Sequence, residues 1–276
     1  MIRCVPDITV TRHVDDLGRF SFGLRRHRWM FESRPLRPHA RNLGMFARLV
    51  DPGCVAYDVG ANIGYYTRFI ARHLQPAEVV AFEPMTANLK VLRRNAQGSS
   101  PVPVRVLPIA LSDRDDRELL QLDDLSDGSS VLDRISGGQP SETRQRLGLR
   151  GKTEEVHVRT LDRVIPEERL EPPGFIKIDT EGAEATVLVG AKETLDRHGP
   201  HIAIASHGPD LVEQVLDLLS PLGYHAFGFL RDGDALRYGR LDASTRSSLG
   251  DNNFVTSRDE ARLTDPISPF CFNLAT

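Results

Sequence analysis

One stretch of the chain combines an apolar run, a glycine-containing turn and the beginning of a helix. The apolar run covers residues 55–59, and Gly60 and Gly64 follow it with three residues between them. A second apolar run at residues 78–82 leads directly to Glu83. In parallel sheets this arrangement binds a nucleoside, because the turn offers backbone amides and the carboxylate accepts hydrogen bonds from ribose hydroxyls. The pattern therefore predicts a parallel α/β fold and a nucleoside-containing cofactor.

Length and composition limit the class of protein. The 276 residues suffice for one large α/β domain, and the formal net charge is -3. No basic stripe appears, so we expect no nucleic-acid partner, and no apolar run approaches the roughly 20 residues of a membrane span. Three scattered cysteines without metal-binding spacing, and an N-terminus without an apolar run, predict a cytoplasmic protein.

Predicted strands and helices alternate over most of the chain, with short connections. The predicted strands are residues 55–59, 78–82, 102–107, 175–179, 201–206, 224–230 and 253–257. The predicted helices are residues 63–74, 85–97, 183–198 and 210–219. This alternation predicts a doubly wound, mainly parallel sheet that helices cover on both faces.

The N-terminal part of the chain lacks this alternation. Residues 1–50 are mixed in character, and only residues 42–50 have helical apolar spacing before a turn at 51–53. We therefore predict an N-terminal cap or lid at 1–50 and a cofactor-binding domain at 51–276.

A second interruption falls at residues 108–160. Strand-like pieces at 117–122 and 154–160 flank a loop at 123–150 that is rich in serine, glycine and aspartate. We predict a β insertion on the main domain, with a loop that is either a lid or plain disorder.

The glycine turn departs from the dinucleotide fingerprint, which has a third glycine for close helix packing. Here Asn62 occupies a turn position, and Tyr65 and Tyr66 follow Gly64. The missing glycine weakens the case for a pyrophosphate. S-adenosylmethionine fits better, because its amino acid portion needs backbone amides and a few polar groups. A nicotinamide-dependent dehydrogenase remains a less favoured alternative.

Other cofactor candidates follow the second and third strands. Pro84 comes after Glu83, and Asn88 lies on the next predicted helix. Ala110 and Leu111 would pack on an adenine ring, with Ser112 or Asp113 near its edge.

A group of acidic residues and a histidine follows the later strands. Asp179 ends an apolar strand, and Glu181 and Glu184 come shortly after it. The carboxyl ends of parallel strands face the ligand crevice, so these carboxylates would orient a substrate, act as a base or hold a cation such as Mg²⁺. Glu184 would equally stabilise a helix N-terminus. His207 follows the next strand and would accept a proton from a substrate hydroxyl. The catalytic candidates are therefore Asp179, Glu181 and His207.

Four motifs, in this order along the chain, resemble those of the FkbM-type class I methyltransferases. They are residues 58–67 (DVGANIGYYT), 81–84 (AFEP), 110–113 (ALSD) and 176–184 (IKIDTEGAE). The resemblance implies a seven-stranded, mainly parallel, Rossmann-like sheet with a final antiparallel strand near 253–257. It also implies S-adenosylmethionine-dependent methyl transfer, commonly to an oxygen of a sugar or natural product and sometimes to a nitrogen.

The resemblance also assigns roles by position. It implies that the methionine portion is surrounded by Gly60, Asn62, Gly64 and Thr67. It also implies that Glu83 binds the ribose and that residues 110–112 lie by the adenine. The predicted cofactor-binding residues are thus Asp58, Gly60, Asn62, Gly64, Tyr65, Tyr66, Thr67, Glu83, Pro84, Asn88, Ala110, Leu111, Ser112 and Asp179. Ser129 and Ser130 resemble paired serines of the family's variable loop. Thr180 and His207 depart from the family pattern, which has a small apolar residue and often an acidic residue at these positions.

The resulting functional prediction is O-methylation of a hydroxyl group on a small molecule such as a sugar or natural product. Methylation of a nitrogen on a peptide, a protein or a small molecule is the alternative. We expect a small-molecule acceptor as the partner, no membrane association, and we allow for a homodimer.

Overall fold

The computed structural model describes residues 7–14, 17–27, 40–97, 100–123, 130–136, 139, 145–146, 148, 150–233 and 235–264. The strands in these ranges are β1 (Thr9–Val14), β2 (Gly18–Gly23), β3 (Val55–Val59), β4 (Glu78–Phe82), β5 (Val104–Leu107), β6 (Ala110–Leu111), β7 (Asp116–Leu122), β8 (Ser130–Leu132), β9 (Thr153–Arg159), β10 (Phe175–Ile178), β11 (His201–Ala205), β12 (His225–Asp232), β13 (Ala235–Arg240) and β14 (Leu249–Ser257).

Helices connect most of these strands. The α-helices in the described ranges are α1 (Ala40–Leu49), α2 (Tyr65–Phe69), α3 (Thr86–Gln97), α4 (Asp133–Ser136), α5 (Leu161–Glu167), α6 (Glu184–Val189), α7 (Lys192–His198), α8 (Pro209–Leu219) and α9 (Ala261–Thr264). A π-helical turn (Ile70–Leu74) continues α2. In the part of the chain that is described, no helix has the length and apolar character needed to cross a bilayer.

The central sheet has the strand order β5-β4-β3-β10-β11-β14-β12-β13. The strands from β5 to β11 are parallel, whereas β14, β12 and β13 each pair antiparallel with the preceding strand in that order. This arrangement confirms the predicted mainly parallel α/β sheet and its antiparallel strand near 253–257. The sheet has eight strands instead of the expected seven, because β12 forms a hairpin with β13 at the edge.

Alternate residues of the parallel strands pack on opposite faces of the sheet. On β3, Tyr57 and Val59 belong to the apolar cluster under helices α5 to α8, whereas Ala56 belongs to the cluster on the other face. The same alternation separates Ile176 from Phe175 on β10. Buried side chains on both faces explain why these strands are almost uninterrupted apolar runs in the sequence.

The N-terminal residues complete the second face. Strands β1 and β2 form an antiparallel hairpin that the sequence analysis missed, and the predicted helix at 42–50 is confirmed as α1. Phe20 and Phe22 of the hairpin are fully buried in the same cluster as Phe69 and Phe175. The role of residues 1–50 as a cap or lid stays a prediction.

The predicted β insertion is confirmed. Strands β7 and β9 match the predicted pieces, and with β6 and β8 they form a four-stranded sheet in the order β6-β9-β7-β8. Leu120 and Leu132 pack in an apolar cluster with Ala110 of β6 and with Met85 of the main domain. This cluster places the insertion over the carboxyl edge of the central sheet. Ser129 and most of the loop at 123–150 lie outside the described residues.

Candidate active site

A cleft opens at the carboxyl edge of the central sheet. Its walls come from the ends of β3, β4 and β10, from the segment after β5, and from β7 and β8 of the insertion. Eight predicted cofactor residues line it: Gly60, Asn62, Glu83, Pro84, Asn88, Ala110, Leu111 and Asp179. The predicted catalytic residue Glu181 lines it as well. Residues from four separate sequence motifs therefore meet in one cavity.

The turn after β3 requires glycine at its first position. Gly60 adopts a left-handed φ of 77°, and a Cβ atom there would lie 1.9 Å from the carbonyl oxygen of Asp179. Asn62 is also left-handed, with φ 50°. The backbone N–H groups of Gly60 and Ala61 both donate to the carbonyl oxygen of Phe82 at 3.0 Å. The two hydrogen bonds connect the turn to β4. The close approach of Gly60 to the Asp179 carbonyl places the turn against the end of β10.

Glu83 is almost completely buried at the end of β4, with 4% of its surface exposed. Its Oε2 accepts a hydrogen bond from the Asn62 N–H and its Oε1 accepts one from the Met85 N–H, each at 2.8 Å. Burial raises the pKa of Glu83 to about 8, although these two bonds and one from Asn88 oppose the rise. A carboxyl group offers about four lone-pair positions, so Glu83 retains capacity to accept from a ligand in the cleft.

A buried lysine lies beneath the turn. Lys177 Nζ is 3.2 Å from Asp58 Oδ1 and 3.4 Å from Asp179 Oδ2, and it lies 4.8 Å from the centre of the Tyr66 ring. Burial opposes its charged form, but the carboxylates of Asp58 and Asp179 outweigh burial and raise the pKa of Lys177. Thr67 Oγ1 donates to the second oxygen of Asp58 at 2.5 Å.

His207 lies among three carboxylates, two of which, Asp179 and Glu181, line the cleft. Its Nδ1 is 2.9 Å from Oε1 of the fully buried Glu184. Its Nε2 is 3.4 Å from Glu181 Oε2 and 3.7 Å from Asp179 Oδ1. Burial lowers the pKa of His207, but the hydrogen bond to Glu184 and the charges of Glu181 and Asp179 prevail and raise it to about 9. The three predicted catalytic residues are therefore brought together.

The same three residues have the composition of a cation site. One ligand atom each from Asp179, Glu181 and His207 lies within 4.8 Å of the other two. Glu184 Oε1 lies within hydrogen-bond distance of His207 Nδ1. The other ring nitrogen, Nε2, therefore faces the carboxylates of Asp179 and Glu181. A carboxylate on the second nitrogen is a common support for a metal-binding histidine.

The remaining predicted cofactor residues do not line the cleft. They are Asp58, Gly64, Tyr65, Tyr66, Thr67 and Ser112. Asp58, Tyr66 and Thr67 belong to the buried network around Lys177.

Two of these residues correct the sequence analysis most clearly. Tyr65 is buried and packs edge-on against Phe20, with ring centres 6.4 Å apart, so its side chain belongs to the core. Ser112 is fully buried, and its Oγ lies 3.3 Å from Thr186 Oγ1 on α6. Its main-chain oxygen also packs against Gly190, where a Cβ atom would lie 1.8 Å away. Both side chains therefore face protein atoms instead of the cleft.

The contribution of the insertion to the cleft is not among the predictions from the sequence. Leu120, Ser130 and Leu132 line the cleft. The leucines at the end of β7 are a usable signal, because Leu120 and Leu122 are both buried. The role of Glu184 is open in the sequence, and in the structure its Oε1 lies within hydrogen-bond distance of His207 Nδ1 and of the N–H groups of Thr180 and Gly182.

Comparison with known families agrees with the motifs. Residues 58–226 match a family described as the methyltransferase FkbM domain, which is more than half of the chain. The chain belongs to the FkbM methyltransferase family. This membership confirms the resemblance seen in the sequence.

Three characterised relatives show partial similarity. This chain is 32% identical over 166 residues to the AMB antimetabolite synthetase AmbE of Pseudomonas aeruginosa. The match covers 51% of this chain and 8% of the synthetase. The chain is 28% identical to the methyltransferase sdnD of Sordaria araneosa, over 49% of this chain and 60% of sdnD. It is 29% identical to the 31-O-demethyl-FK506 methyltransferase FkbM of Streptomyces tacrolimicus, over 67% of this chain and 76% of that enzyme.

Two solved structures show weak similarity to this chain. The methyltransferase FkbM of Methylobacillus flagellatus has 17% identity and a TM-score of 0.47, over 83% of this chain and 60% of that one. A putative methyltransferase from Streptococcus mutans, solved with SAH, has 15% identity and a TM-score of 0.43, over 80% of this chain and 97% of that one.

Proposed function

We propose that this FkbM family member is an S-adenosylmethionine-dependent methyltransferase that acts on a hydroxyl group of a small molecule. The observation that carries the proposal is the cleft itself. A glycine turn, a buried glutamate and apolar side chains line it together with the carboxylates of Asp179 and Glu181, and His207 lies beside these two carboxylates. The turn and the buried glutamate suit a nucleoside, and the carboxylates with the histidine suit an acceptor that must lose a proton.

The residues of the cleft fit the cofactor. Glu83 would accept hydrogen bonds from the ribose hydroxyls, and Ala110 and Leu111 would contact the adenine. Gly60 and Asn62 would contact the methionine portion. Asn62 supports this fit, because its Oδ1 is buried and has no hydrogen-bond partner among the described residues.

When bound, S-adenosylmethionine supplies a methyl group activated by a sulfonium leaving group. The protein must hold the acceptor against that methyl and keep water out, and such positioning can contribute several kcal/mol, up to about 7–11 in favourable cases. Leu120 and Leu132 of the insertion, which line the cleft, would exclude water. The group formed by Asp179, Glu181 and His207 would accept the proton that the acceptor hydroxyl loses. A well-placed base contributes on the order of 10²–10⁴ in rate.

The same three residues would also hold a divalent cation such as Mg²⁺. Such an ion would orient the acceptor hydroxyl and make it more acidic. The support for this part of the proposal is the approach of one atom from each residue to within 4.8 Å.

The small-molecule acceptor is supported by family membership and by the relative named as a 31-O-demethyl-FK506 methyltransferase. The cytoplasmic location and the homodimer stay predictions.

Calorimetry separates the proposed cofactor from the nicotinamide alternative. Titration of the purified protein with S-adenosylhomocysteine should show binding, whereas NADH should show none. Binding of NADH without binding of S-adenosylhomocysteine would contradict methyl transfer and support hydride transfer. Transfer of radioactive methyl from S-adenosylmethionine to a panel of sugars and polyhydroxylated natural products then tests the acceptor class. A panel of amines and peptides, run in parallel, tests the nitrogen alternative.

Glu83 provides a residue-specific test with a matched control. Glu83→Ala should weaken S-adenosylhomocysteine binding by about tenfold or more, because bonds from the ribose hydroxyls to this carboxyl are lost. Glu78→Ala changes the same residue type at the opposite end of β4, and it should bind as the wild type does. Unchanged affinity in Glu83→Ala would remove this residue from the ribose role.

A further inference from the structure

Two side-chain oxygens of the cleft wall are shielded from solvent and have no hydrogen-bond partner among the described residues. They are Oδ1 of Asn62 and Oγ1 of Thr180, and both residues line the cleft. A buried oxygen without a partner is unfavourable. A ligand that donates hydrogen bonds to both oxygens would remove this disadvantage, so the pair marks a position for polar donor groups.

The backbone around both residues is held by buried glutamates. The Asn62 N–H donates to Glu83 Oε2 at 2.8 Å, and the Thr180 N–H donates to Glu184 Oε1 at 2.9 Å. The methyl group of Thr180 lies 3.4 Å from the position that a Cβ atom would take on Gly60. Asn62, within the glycine turn, and Thr180, packed against it, therefore lie on backbone that is already anchored before a ligand binds.

The surroundings favour a cationic donor over an anion. The carboxylates of Asp179 and Glu181 line the same cleft. Lys177 lies beneath it with 4% of its surface exposed, and its charge is engaged by Asp58 and Asp179. Acceptor oxygens beside carboxylates suit a primary ammonium, which has three N–H donors and a positive charge.

We propose that Thr180 and Asn62 together bind the ammonium of an α-amino acid group, whose N–H groups donate to Thr180 Oγ1 and Asn62 Oδ1. The inference rests on the proposed function, because the methionine end of S-adenosylmethionine carries such an ammonium. It adds Thr180 to the cofactor-binding residues and gives its hydroxyl a defined role.

The test compares two ligands that differ in the amino acid group. S-adenosylhomocysteine contains it, whereas 5′-methylthioadenosine keeps the adenosine and the sulfur and lacks it. Thr180→Val removes the acceptor oxygen at nearly constant shape. Calorimetry should show about a tenfold loss of affinity for S-adenosylhomocysteine, the usual effect of losing a bond to a charged group. The affinity for 5′-methylthioadenosine should not change.

Two further variants complete the comparison. Thr180→Ser keeps the hydroxyl and should retain wild-type affinity for S-adenosylhomocysteine. Thr11→Val makes the same exchange in strand β1, where valine is favourable, and should bind both ligands normally.

Each other outcome is informative. Equal losses for both ligands in Thr180→Val would mean that Thr180 shapes the cleft, and an unchanged affinity for S-adenosylhomocysteine would mean that it makes no bond. Either result overturns the inference. Wild-type protein that binds neither adenosine ligand would instead contradict the proposed function, so the two failures are distinguishable.

Discussion

At the scale of single residues, Glu83 shows how burial and ligand binding compete in one side chain. It accepts hydrogen bonds from Asn62 and Met85, and such bonds favour the ionised form. Burial outweighs them and raises its pKa to about 8 from the ordinary 4.5. The free protein therefore holds a proton on Glu83 at neutral pH that the unfolded chain has released.

This difference predicts a pH dependence of stability. Between pH 4.5 and about 8 the folded state binds more protons than the unfolded state, so the free energy of unfolding falls as the pH rises. Glu83→Gln cannot titrate and should show a flatter profile over the same range. Urea denaturation from pH 5 to pH 9 without ligand measures both slopes. Parallel profiles for the two proteins would show that Glu83 is already ionised at neutral pH in the folded state.

His207 leads to a second prediction at this scale, which concerns the proposed cation. Mn²⁺ is a suitable probe, because it accepts both carboxylate and imidazole ligands and its free form gives a strong EPR signal. Wild-type protein should take up Mn²⁺, Mg²⁺ should compete for the site, and His207→Ala should bind Mn²⁺ at least about tenfold more weakly, as losses around metal sites commonly do.

A second histidine provides the control. The side chain of His225 is 32% exposed and that of His207 is 30% exposed, but His225 begins β12 at the other end of the sheet. His225→Ala should therefore bind Mn²⁺ as the wild type does. Equal uptake by wild type and His207→Ala, or no uptake by either, would exclude His207 as a ligand.

At the scale of elements, the turn between β3 and α2 depends on the close approach of two backbones. Gly60→Ala would place a methyl group 1.9 Å from the Asp179 carbonyl oxygen, so the turn and the end of β10 must move apart. We expect a folded but destabilised protein with little binding of S-adenosylhomocysteine, because the displaced turn no longer lines the cleft.

Gly53 separates this steric effect from backbone strain. It has φ 81°, close to the 77° of Gly60, but no atom lies within 4 Å of the position of its Cβ. Gly53→Ala should lose about 1 kcal/mol of stability from strain alone and keep its affinity. Thermal denaturation and calorimetry on both variants make the comparison. Equal binding losses would contradict a specific requirement at Gly60.

The elements that the sequence predicted are those with strong local patterns. Strands β3, β4, β10 and β11 are buried on both faces, so their apolar runs stand out. Strand β13 is missing from the prediction, because its residues are only exposed or half-buried. The hairpin of β1 and β2 was missed, because residues far apart in the sequence provide its burial.

The same reasoning explains which site residues were predicted. Strand ends of a parallel sheet meet at one edge, so Glu83, Asp179 and His207 could be brought together from the sequence alone. The directions of the side chains on α2 could not be predicted from the sequence, because Tyr65 points into the core through its contact with the distant Phe20. The insertion was predicted as an element, but its contact with the cleft depends on tertiary packing.

At the scale of the whole molecule, the N-terminal hairpin decides whether residues 1–50 are a separable lid or part of the main core. Phe20 has no exposed surface and lies in the apolar cluster that covers one face of the central sheet. Asn95 of α3 adds polar contacts, because its Oδ1 accepts from the Ser21 N–H at 2.8 Å and its Nδ2 donates to the Ser21 carbonyl oxygen at 2.9 Å. These contacts favour a structural role for the hairpin.

Phe20→Ala tests that role directly. Removal of a fully buried phenylalanine should lower the free energy of unfolding by about 3–5 kcal/mol, measured by urea denaturation. Ile8→Ala changes an apolar side chain that is 52% exposed beside the hairpin, and it should change stability by no more than about 0.5 kcal/mol. A lid that only covers the ligand would give the opposite pattern, with nearly normal stability in Phe20→Ala and a faster release of S-adenosylhomocysteine. The two measurements therefore decide whether the hairpin is part of the apolar core or a lid over the cleft.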